Sequence, residues 1–141
     1  MKITICGSSK FRQEMVDYMD KLKKLGHQPI VHEHYIKSVN GEMPELAIRV
    51  EKEHAQLKKE NNYIRWYYNA ITNSDAILVL NFNKNGVKNY IGGNTLMEIG
   101  FAHVNDKKIF LLNPIPEEVS YIDEIKAMAD VIIDGDLTKI I

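Results

Sequence analysis

Residues 81–113, NFNKNGVKNYIGGNTLMEIGFAHVNDKKIFLLN, decide the fold because they join two buried strands. An unbroken apolar run of strand length, residues 76–80, precedes the stretch, and a second one, residues 108–112, closes it. Buried parallel strands must be connected by a crossover through a helix. The segment between the two runs has a Gly- and Asn-rich loop followed by a helical pattern, so we predict a βαβ unit.

A second βαβ unit is predicted at the N-terminus. Residues 2–6 have the β-branched content of a strand, and the turn Gly7-Ser8-Ser9 leads into a helix that ends at Gly26 as a C′ glycine. Residues 28–32 form the next strand. A strand that follows a crossover helix normally returns parallel to the first strand and beside it.

The remaining segments are assigned in chain order. We expect residues 33–43 to form a loop and Pro44 to open a long amphipathic helix, with a possible interruption at residues 61–62. A further helix is predicted over about 120–130, and a last strand over 131–133.

Strands that alternate with helices predict a single α/β domain over residues 1–141. It is a doubly wound, flavodoxin- or Rossmann-like three-layer sandwich with a five-stranded parallel sheet, and the order 2-1-3-4-5 suits this size best. Ligands of such sheets bind beyond the C-terminal ends of the strands at the switch point, here between the first and third strands. Polar residues follow the strand ends: Gly7, Ser8, Ser9, His32, Glu33, Asn81, Asn113 and Asp134.

Composition excludes several classes of function. The 141 residues carry a formal net charge of −1, with Lys and Arg scattered along the chain. A nucleic-acid-binding surface is therefore not predicted. The single Cys6 fits a reducing cytoplasm, and the apolar runs are too short to cross a membrane. His32 and His34 lack a third ligand cluster, so neither a metal nor a cofactor is expected. The expected ligand is a small molecule.

Glu98 follows Gly92-Gly93-Asn94-Thr95 at the entry of the central helix. Such an entry presents backbone N–H groups to an anionic or polar ligand. Two interpretations stay open. Glu98 is a reacting carboxylate, or Thr95 and Glu98 form a capping box in which Glu98 reaches back to the Thr95 N–H. The two interpretations are compatible, because a helix N-terminus stabilises the ionised carboxylate that both a cap and a nucleophile require.

The turn Gly7-Ser8-Ser9-Lys10 also has two interpretations. It is either a plain strand-to-helix turn with a serine N-cap or the docking site of one phosphate, with Lys10 or Arg12 as counter-charge. The turn lacks the full Gly-x-Gly-x-x-Gly or Walker pattern, which disfavours a dinucleotide or a nucleoside triphosphate.

Histidine and aromatic side chains complete the set of candidates. His32 or Glu33, near the end of the second strand, could donate a proton in the crevice. Tyr67 and Tyr68 belong to an aromatic cluster with Trp66, for which packing in the core or at a subunit contact is the plain interpretation. A pocket wall that includes Tyr67 or Tyr68 is the functional alternative.

Two motifs resemble the nucleoside 2-deoxyribosyltransferase superfamily. They are Ile5-Cys6-Gly7-Ser8 after the first strand and Glu98-Ile99-Gly100-Phe101-Ala102 before the Lys-Lys-Ile strand, supported by Ser74-Asp75-Ala76. The Cys-Gly-Ser opening is most similar to the 2′-deoxynucleoside 5′-monophosphate N-hydrolases. The resemblance implies that Glu98 attacks C1′ of the sugar to form a glycosyl-enzyme ester, and that sites are completed at subunit contacts in a homodimer or larger assembly.

The chain departs from the family pattern at two positions. Tyr67 stands where the family usually has an aspartate, and Gly92 stands where it has an acidic residue or serine. A second resemblance links Gly92 to Glu98 with the P-G-G-x-G-T-x-x-E loop of cytokinin-activating phosphoribohydrolases, one residue shorter and without the proline. Both families cleave the N-glycosidic bond of a nucleotide.

The expected function is cleavage of the N-glycosidic bond of a (deoxy)nucleoside or nucleoside 5′-monophosphate through a covalent intermediate on Glu98. Water or a second base then releases the sugar, as in a hydrolase or a transferase. Hydrolysis is favoured, because the polar loop over residues 82–91 is expected to be mobile and to admit water. The alternative is a catalytically silent nucleotide-binding or sensing module with the same fold.

Overall fold

The computed structural model describes residues 1–52 and 54–141, without the side chains of residues 50–52, 54 and 57. The described part of the chain forms a parallel sheet with the strand order β2-β1-β3-β4-β5. Its strands are β1 (Lys2–Gly7), β2 (Gln28–Ile30), β3 (Ala76–Leu80), β4 (Lys108–Leu111) and β5 (Val131–Ile132). The predicted doubly wound sheet and its order are confirmed.

The α-helices of the described ranges are α1 (Arg12–Lys24), α2 (Glu33–Val39), α3 (Pro44–Lys52), α4 (His54–Glu60), α5 (Tyr63–Thr72), α6 (Gly93–Val104) and α7 (Ile122–Met128). Short 3₁₀ helices lie at Ser9–Phe11 and Leu137–Lys139. Pro44 begins a helix as predicted, and the predicted interruption falls at Asn62, which has a left-handed φ of 54°. Residue 53, within the predicted long helix, lies outside the described residues.

The segment 33–43, predicted as a loop, contains the helix α2, so this prediction is wrong. His32 caps that helix, since its Nδ1 accepts a hydrogen bond from the His34 N–H at 3.0 Å. Histidine is not among the usual N-cap residues, and a seven-residue helix gives too short a periodic pattern to detect. The helix buries Tyr35, which becomes important at the site.

Apolar layers cover both faces of the sheet. Met15 and Leu22 of α1 belong to the cluster on one face, and Ile99 of α6 and Ile125 of α7 belong to the cluster on the other. The strand β3 is buried along its whole length, as expected for the centre of a parallel sheet. None of the helices in the described part of the chain has the length and hydropathy needed to span a bilayer.

The end of β1 approaches β3 very closely. Gly7 pairs with Leu80, and a Cβ on Gly7 would lie 3.0 Å from the carbonyl oxygen of Leu80. Any larger residue would force the two strand ends apart. Glycine therefore keeps the ends of β1 and β3 together at the point where their connections diverge to opposite sides of the sheet.

Candidate active site

A cavity of about 190 Å³ opens at the C-terminal ends of β1 and β3, the position that the topology predicts. The turn after β1 forms one side and the start of α6 forms another, as the sequence analysis expected. Residues of α2, α4 and the loop after β3 complete the wall. The described lining residues are Gly7, Ser8, Ser9, Tyr35, Lys58, Lys84, Tyr90, Gly92, Gly93, Asn94 and Thr95.

The turn after β1 combines a helix cap with polar groups that face the cavity. Ser8 Oγ accepts a hydrogen bond from the Lys10 N–H at 3.3 Å, which is the serine cap of the plain interpretation. The same oxygen also accepts a hydrogen bond from Lys84 Nζ at 2.9 Å. Arg12, a predicted counter-charge, instead donates to the carbonyl oxygen of Ser9 at 2.6 Å. Lys10 is exposed on the turn and is not part of the cavity lining.

The start of α6 rules out the predicted capping box. The helix begins at Gly93 after the N-cap Gly92, so Thr95 is already its third residue and Glu98 lies in its second turn. From there Glu98 is not at the position that reaches back to an N-cap N–H. Glycine has no side chain to cap the helix, and the first N–H groups of a helix have no partner within it. Those of α6 therefore border the cavity beside Gly93 and Asn94.

The glycine at position 92 is explained by its neighbour Tyr90. A Cβ on Gly92 would lie 2.7 Å from the Tyr90 hydroxyl oxygen, so the phenol fills the space that a side chain at position 92 would need. Both residues line the cavity. The Tyr90 side chain therefore takes the place of a side chain at position 92 on this wall of the cavity.

Glu98 lies beneath the cavity, with 3% of its surface exposed, and is not part of the lining. Its Oε1 has no hydrogen-bond partner in the part of the chain that the structure describes. Burial raises the pKa of this carboxyl to about 8, although the charge of Lys58 acts in the opposite direction. Glu98 lies in the second turn of α6, where the helix dipole acts only weakly, so desolvation outweighs the stabilisation of an ionised carboxylate.

Three buried titratable side chains surround Glu98. Burial raises the pKa of the Cys6 thiol and of the Tyr35 and Tyr67 phenols, and the nearby Glu98 adds to each of these shifts. A hydrogen bond with the His32 backbone acts against the shift at Tyr67, and Tyr67 does not reach the cavity lining. Tyr35 does line the cavity, so it lies next to the space for a ligand and also interacts electrostatically with the buried Glu98 carboxyl.

The cavity is electropositive. Lys58 and Lys84 line it, and the described lining residues include no Asp or Glu. Burial lowers the pKa of Lys84, and the charges of Lys10 and Lys58 lower it further. Lys84 Nζ also lies 4.8 Å from the centroid of the Tyr90 ring, a cation–π contact. Within residues 1–52 and 54–141 no group of three or more His, Cys, Asp or Glu side chains is placed to hold a metal ion.

His32 lies outside the cavity, in an aromatic cluster. Its ring centroid is 4.4 Å from that of Trp66 and 4.8 Å from that of Tyr63. Burial, with the charge of His34, lowers the pKa of His32 to about 4. The imidazole is therefore neutral near pH 7, and this placement does not support His32 as the proton donor.

Asn81 and Asn113 are also away from the cavity lining, because they bind each other. Asn81 Nδ2 donates to the carbonyl oxygens of Asn113 and Pro114 at 2.9 and 3.0 Å. In return, the Asn113 N–H donates to Asn81 Oδ1 at 2.9 Å and Asn113 Nδ2 donates to the Asn81 carbonyl oxygen at 3.0 Å. This amide clamp joins the ends of β3 and β4.

Four lining residues were not predicted from the sequence: Tyr35, Lys58, Lys84 and Tyr90. A signal existed for Lys84, because the Asn-Gly pair that follows it is the strongest short-range indicator of a hairpin turn. Tyr35 belongs to the helix that was predicted as a loop. Nothing in the sequence distinguishes Lys58 from the other lysines of its helix.

The fold and the site define a doubly wound α/β protein with a polar, cationic cavity at its switch point. No protein-family profile matches the sequence, and no curated protein matches it significantly. Among solved structures the chain is similar to the Clostridium botulinum CMP N-glycosidase BcmB, with a TM-score of 0.48 and 17% sequence identity, over 93% of this chain and 85% of that chain. A similarity this low carries no argument about the reaction.

Proposed function

We propose that the protein cleaves the N-glycosidic bond of a nucleoside or nucleotide, with Glu98 as the reacting carboxyl. The observation that carries the proposal is this carboxyl, buried beneath a cationic cavity with Oε1 unpartnered in the described part of the chain. Burying an unpaired carboxyl destabilises a protein, and strongly shifted pKa values cluster at functional sites. The motif resemblance around Glu98 supports the reaction class.

The reaction has two steps on Glu98. In the first, a carboxylate oxygen attacks C1′ while the base leaves with the bonding electrons, which gives a glycosyl ester. In the second, water attacks C1′, its oxygen stays on the sugar as a hydroxyl, the bond from C1′ to Glu98 breaks, and the departing carboxylate takes up the proton that the water loses. Glu98 must lose a proton before it attacks, and the departing base must gain a proton as it leaves. The proton that Glu98 loses can therefore be passed to the base within the same site.

Glu98 has to approach the sugar for the first step. Thr95 lies one turn earlier on the same face of α6 and lines the cavity, so the Glu98 backbone is about one helical turn farther along the helix than the lining. A change of rotamer at Glu98 is the smallest movement that brings an oxygen to C1′. Binding energy from the rest of the substrate would drive this movement.

Release of the sugar by water is favoured over transfer to a second base. The cavity wall near the turn and the α6 entry consists of hydroxyl, amide and ammonium groups, which can hold water. Transfer requires a site that keeps water away from the ester while a second base enters. Hydrolase chemistry is therefore the first expectation.

A second function, a catalytically silent nucleotide-binding module, is favoured by two observations. The Glu98 carboxyl does not line the cavity in this structure, and Tyr67 replaces the aspartate of the family pattern. In that case a nucleotide binds and stays intact.

The test is incubation with a panel of nucleosides and nucleoside 5′-monophosphates, followed by chromatography for free base. Release of base from at least one member, with multiple turnovers, supports the proposed function. Measurable binding of a nucleotide without release of base from any member of the panel supports the silent module instead. Free sugar or sugar phosphate in the products separates hydrolysis from base exchange.

A further inference from the structure

The proposed reaction separates the group that loses a proton from the group that gains it. An attacking carboxylate and the departing base lie on opposite sides of C1′, and in retaining glycosidases the attacking group and the acid that serves the leaving group are about 5–5.5 Å apart. Glu98 therefore does not reach the base directly. It is also only 3% exposed and lies off the cavity lining, away from bulk water. Its proton needs a carrier between the carboxyl and the cavity.

Such a carrier must lie next to both the carboxyl and the ligand space, and it must accept one proton while it releases another. Tyr35 meets the first requirement, because it lines the cavity and its phenol interacts electrostatically with Glu98. Cys6 and Tyr67 interact with Glu98 too, but neither belongs to the lining. A phenol also meets the second requirement, since its oxygen accepts a hydrogen bond while its O–H donates one.

The lysines on the lining do not meet the second requirement. An ammonium group has three donor hydrogens and no acceptor, so neither Lys58 nor Lys84 takes a proton from Glu98 while it is charged. Lys58 acts on Glu98 in another way, because its charge lowers the pKa of the carboxyl. It therefore makes the loss of the proton easier without carrying the proton.

Tyr90, the second phenol on the described lining, belongs to a different wall of the cavity. The loop over 82–91 was predicted to be mobile, but the Tyr90 N–H donates to the Phe82 carbonyl oxygen at 2.9 Å, which closes the loop at its base. This bond fixes the Tyr90 backbone in the loop after β3. The phenol that interacts with Glu98 is that of Tyr35, which reaches the cavity from α2.

Packing holds the Tyr35 ring in place. His32 caps α2, and the Tyr35 ring centroid lies 5.9 Å from that of His32, 6.0 Å from that of Tyr63 and 6.3 Å from that of Tyr67. A ring enclosed in this way is already oriented for a group that must reach two partners. Burial raises the pKa of Tyr35 well above its ordinary value, so the phenol stays neutral and carries a proton without storing charge.

We propose that Tyr35 carries the proton of Glu98 to the departing base. The inference rests on the proposed function. The Glu98 proton moves to Tyr35 Oη and the phenol proton moves to an acceptor atom of the base, while the base takes the electrons of its bond to C1′ and a Glu98 oxygen forms the ester. A neutral acid and the substrate thus give an ester and a neutral base. In the second step the proton of the attacking water returns to Glu98 by the same route.

The test compares two substrates that differ in their need for a proton. One is the best purine or cytosine substrate of the panel. The other is the same molecule methylated at N7 of the purine or N3 of the cytosine, which makes the base a cation that leaves as a neutral molecule without being protonated. Tyr35→Phe should lower kcat/KM at least about a hundredfold for the first substrate, as expected for a lost general acid, and less than about threefold for the second.

The matched control is Tyr67→Phe, which removes a second buried hydroxyl near Glu98 that does not line the cavity. Thr95→Val removes an aliphatic hydroxyl that does line it. Each of these variants should change kcat/KM for both substrates by the same factor. An equal loss for both substrates in Tyr35→Phe overturns the proposal, because a structural defect does not distinguish them. A loss confined to the unmethylated substrate in Thr95→Val, with Tyr35→Phe unaffected, also overturns it.

This inference and the proposed function fail in distinguishable ways. Release of base by the wild type, with kcat/KM changed equally for both substrates in Tyr35→Phe, contradicts the role of Tyr35 and sustains the N-glycosidase. Absence of base release from every substrate, methylated substrates included, contradicts the N-glycosidase and with it the proton route. Release of base with a loss selective for the unmethylated substrate in Tyr35→Phe supports both.

Discussion

At the residue scale, the protonation state of Glu98 links the structure to the chemistry. Desolvation raises the pKa of this carboxyl to about 8, so the ligand-free protein holds it mostly protonated at pH 7. The same shift acts on activity and on stability. It therefore gives two predictions that can be measured independently of each other.

The first prediction is a pH dependence of activity whose sign identifies the role of Glu98. If the ionised carboxyl attacks C1′, kcat/KM should rise with pH and level off above about 8, because kcat/KM reports the ionisation of the free protein. If the carboxyl acts as a general acid, kcat/KM should fall above that pH. Base release at limiting substrate from pH 5 to 10 decides between the two. A flat profile would contradict both roles.

The second prediction concerns stability. The folded pKa of Glu98, about 8, is above the ordinary value of 4.5, so the folded protein holds a proton that the unfolded chain loses. Stability contributed by the neutral carboxyl is complete below pH 4.5 and is lost as the pH rises to about 8. Glu98→Gln does not titrate, so its stability relative to the wild type should increase over this window, by at most about 5 kcal/mol. Urea unfolding at pH 5, 7 and 9 measures the gap, and an equal gap at all three pH values would refute the shift.

The sequence predicted Glu98 close to the helix entry that borders the cavity, but it could not give the burial of this carboxyl or its protonation state. The glycines at positions 92 and 93 indicate that a helix starts nearby, and Glu98 follows them within two turns, although the first residue of α6 is Gly93 itself. Its burial, however, comes with neighbours from distant segments, such as Tyr35 and Tyr67. No local pattern encodes those contacts.

At the element scale, the amide clamp between the ends of β3 and β4 gives a third prediction. Asn81 is fully buried, and its side-chain amide forms hydrogen bonds through both ends: Nδ2 donates and Oδ1 accepts. Asn81→Ala should destabilise the fold by about 1–3 kcal/mol, because it leaves partly buried backbone groups of Asn113 unpaired. The folded variant should bind ribose 5-phosphate as the wild type does, since Asn81 does not line the cavity.

Asn94→Ala is the matched variant for that prediction, because Asn94 lines the cavity at the start of α6. It should weaken binding of the sugar phosphate and reduce stability by less than about 1 kcal/mol. Urea unfolding and a titration with ribose 5-phosphate, followed by amide chemical shifts, measure both properties. The reverse pattern, with Asn81→Ala stable but unable to bind, would show that Asn81 is a ligand contact.

Elements were predictable where their signal is local. The strand β3 is an apolar run that any parallel sheet requires, and Gly26 and Pro44 mark helix boundaries with the residues that usually do so. The starts of α2 and α6 were missed because their caps are His32 and Gly92, which give no strong capping signal.

At the scale of the whole molecule, the fourth prediction is a homodimer or larger assembly. The motif resemblance implies subunit contacts, and Ile64 and Tyr68, one turn apart on α5, are 40% and 41% exposed. The chain has a mass of 16.2 kDa, so light scattering at micromolar concentration should give at least about twice this mass. A particle of one chain mass would contradict the prediction.

The topology explains why the location of the cavity was predictable while its charge was not. Once the strand order is 2-1-3-4-5, the ends of β1 and β3 must form the crevice. The ammonium groups of Lys58 and Lys84 reach that crevice from α4 and from the loop after β3. Their convergence depends on how separate segments pack, which a count of scattered lysines does not reveal.

Release of base by Glu98→Gln protein tests the role of Glu98 most directly. We predict that kcat falls at least about a thousandfold while the variant stays folded and binds ribose 5-phosphate as the wild type does. Glu14→Gln is the matched control, because Glu14 also has a buried carboxyl oxygen without a partner among the described residues, but it lies on α1 and does not line the cavity. That control should keep full activity. Turnover by Glu98→Gln within about tenfold of the wild type would contradict the assignment of Glu98 as the reacting carboxyl.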